Sequence, residues 1–115
     1  MANIPRYLVR GTLRKEEVSK TFTVQSISFV DGKADRIKTT NDEFIDTTKE
    51  YKLLEYSGYH DFSGSPIYIG TSVFDKTEQK LAIVSYNAGK VYLAFSDKLE
   101  LLTHDKSDYL ISAGF

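Results

Sequence analysis

The chain has 115 residues, 41% of them hydrophobic and 27% charged, with a formal net charge of −1 and no cysteine. That length supports one domain with a core of its own, and that balance excludes the polar, weakly hydrophobic composition of disordered chains. The missing thiols exclude disulfides, thiolate zinc sites, iron–sulfur clusters and cysteine nucleophiles, and near-neutral charge in both halves excludes a strong field for non-specific nucleic-acid binding.

The N-terminal "MANIPRYLVRG" has no apolar signal region and no run reaches membrane-spanning length, so the expectation is a soluble, cytoplasmic protein without a membrane partner. Short β-branched and aromatic runs separated by turn residues then predict a mainly β chain. The first run, Arg6 to Val9, passes Gly11 into the charged loop "RKEEVSK". In "TFTVQSISFV", Phe22 and Val24 share one phase and Ile27 and Phe29 the next, which a period-2 strand cannot reconcile without a bulge near Gln25 and Ser26. Asp31-Gly32 is a hairpin signal, with Arg36 to Lys38 expected to return against Ile27 to Val30. Asn41 to Tyr51 is the one ambiguous segment: Thr40 or Asn41 could cap a turn or two of helix, with strand resuming from Lys52 to Tyr56.

Farther on, "KLAIVSY" and "KVYLAF" flank "NAG", expected as a three- or four-residue hairpin loop with Gly89 left-handed. Leu81 and Ile83 fall on one face, Ala82, Val84 and Tyr86 on the other, and both are apolar. One face therefore belongs to the core and the other calls for cover by the N-terminal half or a second subunit. "LELL" and "DYLISAGF" supply the last short strands. Between the runs lies "YSGYHDFSGSPIYIGTSVF", in which Gly58 and Gly64 permit a chain reversal, Asp61 suits a turn, and Ile67 and Ile69 point to the core with Tyr68 and Gly70 facing away.

That central stretch, with the preceding "LLE", resembles the signature of the YopX-like proteins of phages and prophages. In that family a Gln-Tyr-Thr-Gly-Leu-x-Asp segment precedes a turn and Ile-Tyr-Glu-Gly-Asp-Ile-Val; Tyr56, Gly58, Asp61, Gly64, Ile67, Tyr68, Gly70 and Val73 match it here. "RYLVRG" and "FTVQSISF" are similar to the family's opening strands. The resemblance implies one YopX-like domain over 1–115, a small SH3-like β-barrel over about 52–112 with an N-terminal β-hairpin extension, and at most one short helix. It also implies self-association, with no established activity or cofactor. The acids that flank the glycine in the family are Ile69 and Thr71 here, so no role requiring those carboxylates is expected of this chain.

Chemistry-bearing constellations are sparse. His60-Asp61 and His104-Asp105 each pair an imidazole with a carboxylate, yet neighbours on a strand point apart and a metal needs three or four converging ligands. Both dipeptides are expected in loops, and no metal or cofactor is assigned. Ser57, Ser63 and Ser65 lie in no nucleophile elbow, and Gly58, Gly64 and Gly70 in no phosphate-cradling loop, so no enzyme is expected. Eight tyrosines and seven phenylalanines without a tryptophan exceed what a small core needs, which makes Tyr59, Phe62, Tyr68, Tyr86 and Tyr92 a candidate interaction surface. Arg6, Arg10 and Arg14 form a candidate basic patch. The resulting expectation is a non-enzymatic accessory module of phage or prophage, homo-oligomeric or bound to another phage or host protein. The alternative is a nucleic-acid-binding barrel, and a metal-dependent enzyme ranks last.

Overall fold

Period-2 patterning is realised as ten strands among the described residues, 4–114 of a computed structural model, with a single one-turn helix. The strands are β1 (Tyr7–Gly11), β2 (Lys20–Val30), β3 (Lys33–Thr39), β4 (Lys52–His60), β5 (Pro66–Tyr68), β6 (Ser72–Asp75), β7 (Lys80–Asn87), β8 (Lys90–Ala94), β9 (Leu99–Leu101) and β10 (Leu110–Gly114); α1 (His104–Ser107) precedes the last. Their antiparallel sheets run β3-β2-β1-β4-β5 and β10-β6-β7-β8-β9. Packing divides the chain between Leu54 and Glu55 into two units, which are described in turn.

In the first unit, β2 carries the expected irregularity. Val24 pairs with Thr39 and Ser26 with Lys38, so Gln25 is an extra residue. This single step lets Phe22, Val24 and Ile27 all pack on the cluster of Val9, Leu13, Ile37 and Ile45. A second irregularity, between Ser28 and Phe29, was not foreseen; beyond it Phe29 is exposed instead of sharing the face of Ile27. Asp31 and Gly32 both take left-handed φ, 52° and 79°, and close the β2–β3 hairpin between Val30 and Lys33. The return meets expectation for Arg36 and Ile37, which pair with Ser28 and Ile27, while Lys38 falls one residue beyond it, on Ser26.

No helix forms over 41–51. Asp42 is left-handed (φ 61°), and isolated bridges join Lys38 to Phe44 and Leu13 to Ile45, burying Ile45 fully. The Asp46 carboxylate accepts from the Thr48 N–H at 3.0 Å and from its hydroxyl at 2.5 Å. Short polar side chains that bond nearby backbone hold a turn here where they could have capped a helix. The helix lies instead at His104–Ser107, where Thr103 accepts from the Lys106 N–H at 3.2 Å.

In the second unit, β4 pairs with β5 (Tyr56 with Tyr68, His60 with Pro66), and β6 through β9 form a meander to which β10 returns beside β6. Ile67, Val73, Val84, Leu93, Leu102 and Leu110 make its core, each at most 2% exposed. The strand order has open ends at β10 and β9, so this sheet is not a hydrogen-bonded ring. Tyr68 is buried at 5% exposure alongside Ile67, in place of the outward orientation expected of it.

Asp75, fully buried at the end of β6, accepts from the Thr77 N–H at 2.9 Å and faces the Lys106 ammonium at 2.5 Å. Burial pushes this carboxyl up, but the bond from Lys106 and the turn N–H groups outweigh it and hold the carboxyl below the usual range. Lys106 also reaches Glu100 at 3.5 Å, and Glu100 lies 3.6 Å from Lys98, itself paired with Glu78. This chain of charges ties α1 to β6, β9 and the β6–β7 turn.

The β7–β8 loop is shorter than expected. Asn87 pairs with Lys90, leaving Ala88 (φ 52°) and Gly89 (φ 79°) as a two-residue turn. Such a turn wants Asn-Gly, and an alanine Cβ is strained at positive φ. Ala88→Asn is therefore expected to stabilise the protein by about 0.5–1 kcal/mol, seen as a rise of a few degrees in Tm by calorimetry. An unchanged or lower Tm contradicts the assignment of strain to Ala88.

Candidate interaction surface

Asp61 organises the turn that follows β4. Its Oδ1 accepts from the Ser63 N–H and Ser65 N–H, both at 2.9 Å, and from the Ser63 hydroxyl at 2.8 Å. Oδ2 accepts from the Ser112 N–H at 3.0 Å and its hydroxyl at 2.8 Å, and the Phe62 N–H donates to the Leu110 carbonyl. The carboxylate, 5% exposed, thus joins the 61–65 turn to β10. Burial pushes its pKa up, and the serine bonds more than reverse that, leaving it below the ordinary 3.8. Gly58, Gly64 and Gly70 all take positive φ around this turn, so the glycine- and serine-rich stretch is spent on backbone geometry.

The expected aromatic residues do not form one surface. A groove of about 610 Å³ in the second unit brings Tyr59 and Tyr86 together with Tyr56, Lys90, Leu101 and His104. The Tyr59 ring lies 4.7 Å from that of His104 and its hydroxyl donates to the Leu102 carbonyl at 3.3 Å. Tyr56, not among the aromatic residues expected at an interaction surface, lies with its hydroxyl 3.3 Å from the His60 ring nitrogens, and burial raises its pKa. Phe62 is exposed on the Asp61 turn with the Lys76 ammonium 3.8 Å from its ring centre. Tyr68 is withdrawn into the interior.

Contrary to the loop placement expected for both histidines, His60 ends β4 and His104 opens α1. Each rests on a different tyrosine. Among the described residues no three His, Cys, Asp or Glu side chains stand together as metal ligands. No helix among them is long and apolar enough to cross a membrane.

Tyr92 belongs to a second and larger feature. Side chains directly opposite across strands share a face, and the register of the second sheet lines up three rows on its outer side. One row is Ile111, Phe74 and Leu81; the next is Ser72, Ile83, Ala94 and Leu99; the third is Ser85, Tyr92 and Leu101. None of these ten residues is charged, and Leu81, Ile83, Leu99, Leu101 and Ile111 are 43–61% exposed. Comparison with family models, curated proteins and solved structures finds no match to this chain. The surface itself carries the functional argument.

At roughly 4.8 Å between strands and about 6.8 Å between successive residues on one face, the ten positions cover about 330 Å². That is the size of an apolar patch that commonly serves as a contact site. The two-sided hairpin of β7 and β8 was legible in their alternation. The continuation through Leu99, Leu101 and Ile111 depends on the register.

Because Asp61 accepts five hydrogen bonds while buried, Asp61→Ala leaves those donors without an acceptor and is expected to cost about 2–4 kcal/mol in chemical denaturation. Its folded pKa is depressed, so its stabilisation is complete above the ordinary carboxylate value and is lost as pH falls below it. Asp61→Asn should be less stable at neutral pH and show a shallower acid limb than the parent. Identical acid limbs contradict the role given to Asp61.

Proposed function

We propose that this protein is a non-enzymatic interaction module that self-associates through the outer face of the second unit's sheet. The observation that carries this reading is the charge-free triple row centred on Ile83 and Ala94. A second copy is the occupant favoured by charge: two such faces meet without any like-charge pair or buried unpaired ion. Each copy contributes about 330 Å², which puts the pair below the standard interface size and makes it a reversible dimer instead of an obligate one.

The YopX-like resemblance enters the same reading. Of the residues that help to carry it, Asp61 and Gly64 serve a turn, while Gly58, expected at a chain reversal, lies inside β4 at its irregularity and Gly70 between β5 and β6; these backbone roles are compatible with a non-enzymatic accessory protein of phage or prophage in the bacterial cytoplasm. The finer fold assignment also belongs here. A four-strand meander whose returning β10 pairs with its first strand, β6, has the connectivity of a small barrel left open at one seam, and this supports the SH3-like description.

Light scattering coupled to gel filtration tests the proposal. The average mass should rise towards twice the monomer between low and high micromolar concentration. Ile83→Lys, at a position 53% exposed, should abolish that rise with little change in Tm. A parent protein that stays monomeric at high micromolar concentration overturns the proposal.

A further inference from the structure

Two arginines of the first unit converge on a single ring. The Arg14 guanidinium carbon lies 4.9 Å from the centre of the Phe44 ring and that of Arg36 lies 5.5 Å from it. We infer that Arg14 and Arg36, gathered over Phe44, bind the phosphodiester backbone of a single-stranded nucleic acid. The sequence brings them together through the bridges that replace the expected helix. Lys38 pairs with Phe44 and the Arg14 N–H donates to the Phe44 carbonyl at 3.1 Å, which brings the ring within reach of both side chains.

A guanidinium held over a ring spends its face on the π cloud and keeps its in-plane N–H donors for another acceptor. Among the described residues no carboxylate lies within ion-pairing distance of either guanidinium. The Asp46 pKa is lowered first by the bonds from Thr48, with the Lys49 and Arg14 charges following them. Two like charges are thus drawn to one ring with their donors uncommitted, an arrangement that a bridging phosphate completes.

Beside Arg14 lies a cleft of about 370 Å³ lined by Leu13, Lys15, Asp42, Glu43 and Phe44. Leu13 and Phe44 give it an apolar lining against which a base can pack. Asp42 is neutralised by Lys38 at 3.1 Å, and Glu43 remains as an acceptor for a base amino group. Both arginines are exposed, so a lone small anion there stays hydrated and weakly held. A polymer gains from counterion release at each added contact, and unstacked bases enter the cleft only from a single strand.

Fluorescence anisotropy with a labelled single-stranded oligodeoxynucleotide tests this. Binding at low salt is expected, with log K falling linearly against log salt. The double variant Arg14→Gln/Arg36→Gln should lose at least about tenfold in affinity and about 1.4 in salt slope. Phe44→Leu should weaken binding severalfold while leaving the slope nearly intact, a separation that loss of general charge would not produce. Lys90→Gln, in the other unit, should change nothing. Absence of binding at low salt, an unchanged double variant, tighter binding of the duplex, or displacement by inorganic phosphate at equal phosphate concentration each overturns the inference.

Discussion

The second unit depends on one carboxylate. Asp61 collects donors from its own turn and from Ser112 on β10, so a local reversal and a strand 51 residues farther along share a single acceptor. A buried anion is tolerable only when hydrogen bonds replace its hydration, and here serine side chains and backbone N–H groups do so from both sides. β10 is thereby held where it can pair with β6, and Ile111 takes its place in the outer row. The surface assigned to association is in this sense a product of the turn.

The other buried acid works by charge compensation. Asp75 has lost all solvent, and the Lys106 ammonium faces it from a one-turn helix too short to be stable by itself. Removing either partner would strand a charge in the interior, which makes the pair a constraint on how α1 sits more than a source of net stability. The ions continue outward through Glu100, Lys98 and Glu78, and Lys80 pairs with Asp97. Charge is thus concentrated along the turns and the inner side of the sheet while the outer rows carry none. The asymmetry sets the outer face apart from the rest of the surface, in keeping with the contact role proposed for it.

Much of the strand content could be read directly from alternation, and the bulge at Gln25 from a phase conflict between Val24 and Ile27. The turn at Asp31-Gly32 followed from the need for positive φ. What escaped were features set by distant partners. Asn41 to Tyr51 has residues that can cap a helix, and only bridges to Leu13 and Lys38 decide against one. Tyr68 alternates as if exposed, yet β5 is covered on both sides. Of the arginines singled out by clustering in sequence, Arg6 rests on its neighbour Tyr7 and Arg10 bonds Thr21, whereas Arg14 is joined by Arg36, 22 positions away. Proximity along the chain is a poor guide to which cations share a site when the intervening segment folds back.

The lengths of the edge strands bear on what an apolar sheet can become. β9 has three residues and β10 five, the latter broken by an irregularity between Ser112 and Gly114. Edges so short offer few free backbone groups to a neighbouring strand, so growth by strand addition is disfavoured. In the proposed face-to-face pair the same surface is buried on both copies and none is left for a third. On that proposal the sheet's stickiness is consumed by one encounter, and an element that could grow into a fibre closes as a finite assembly.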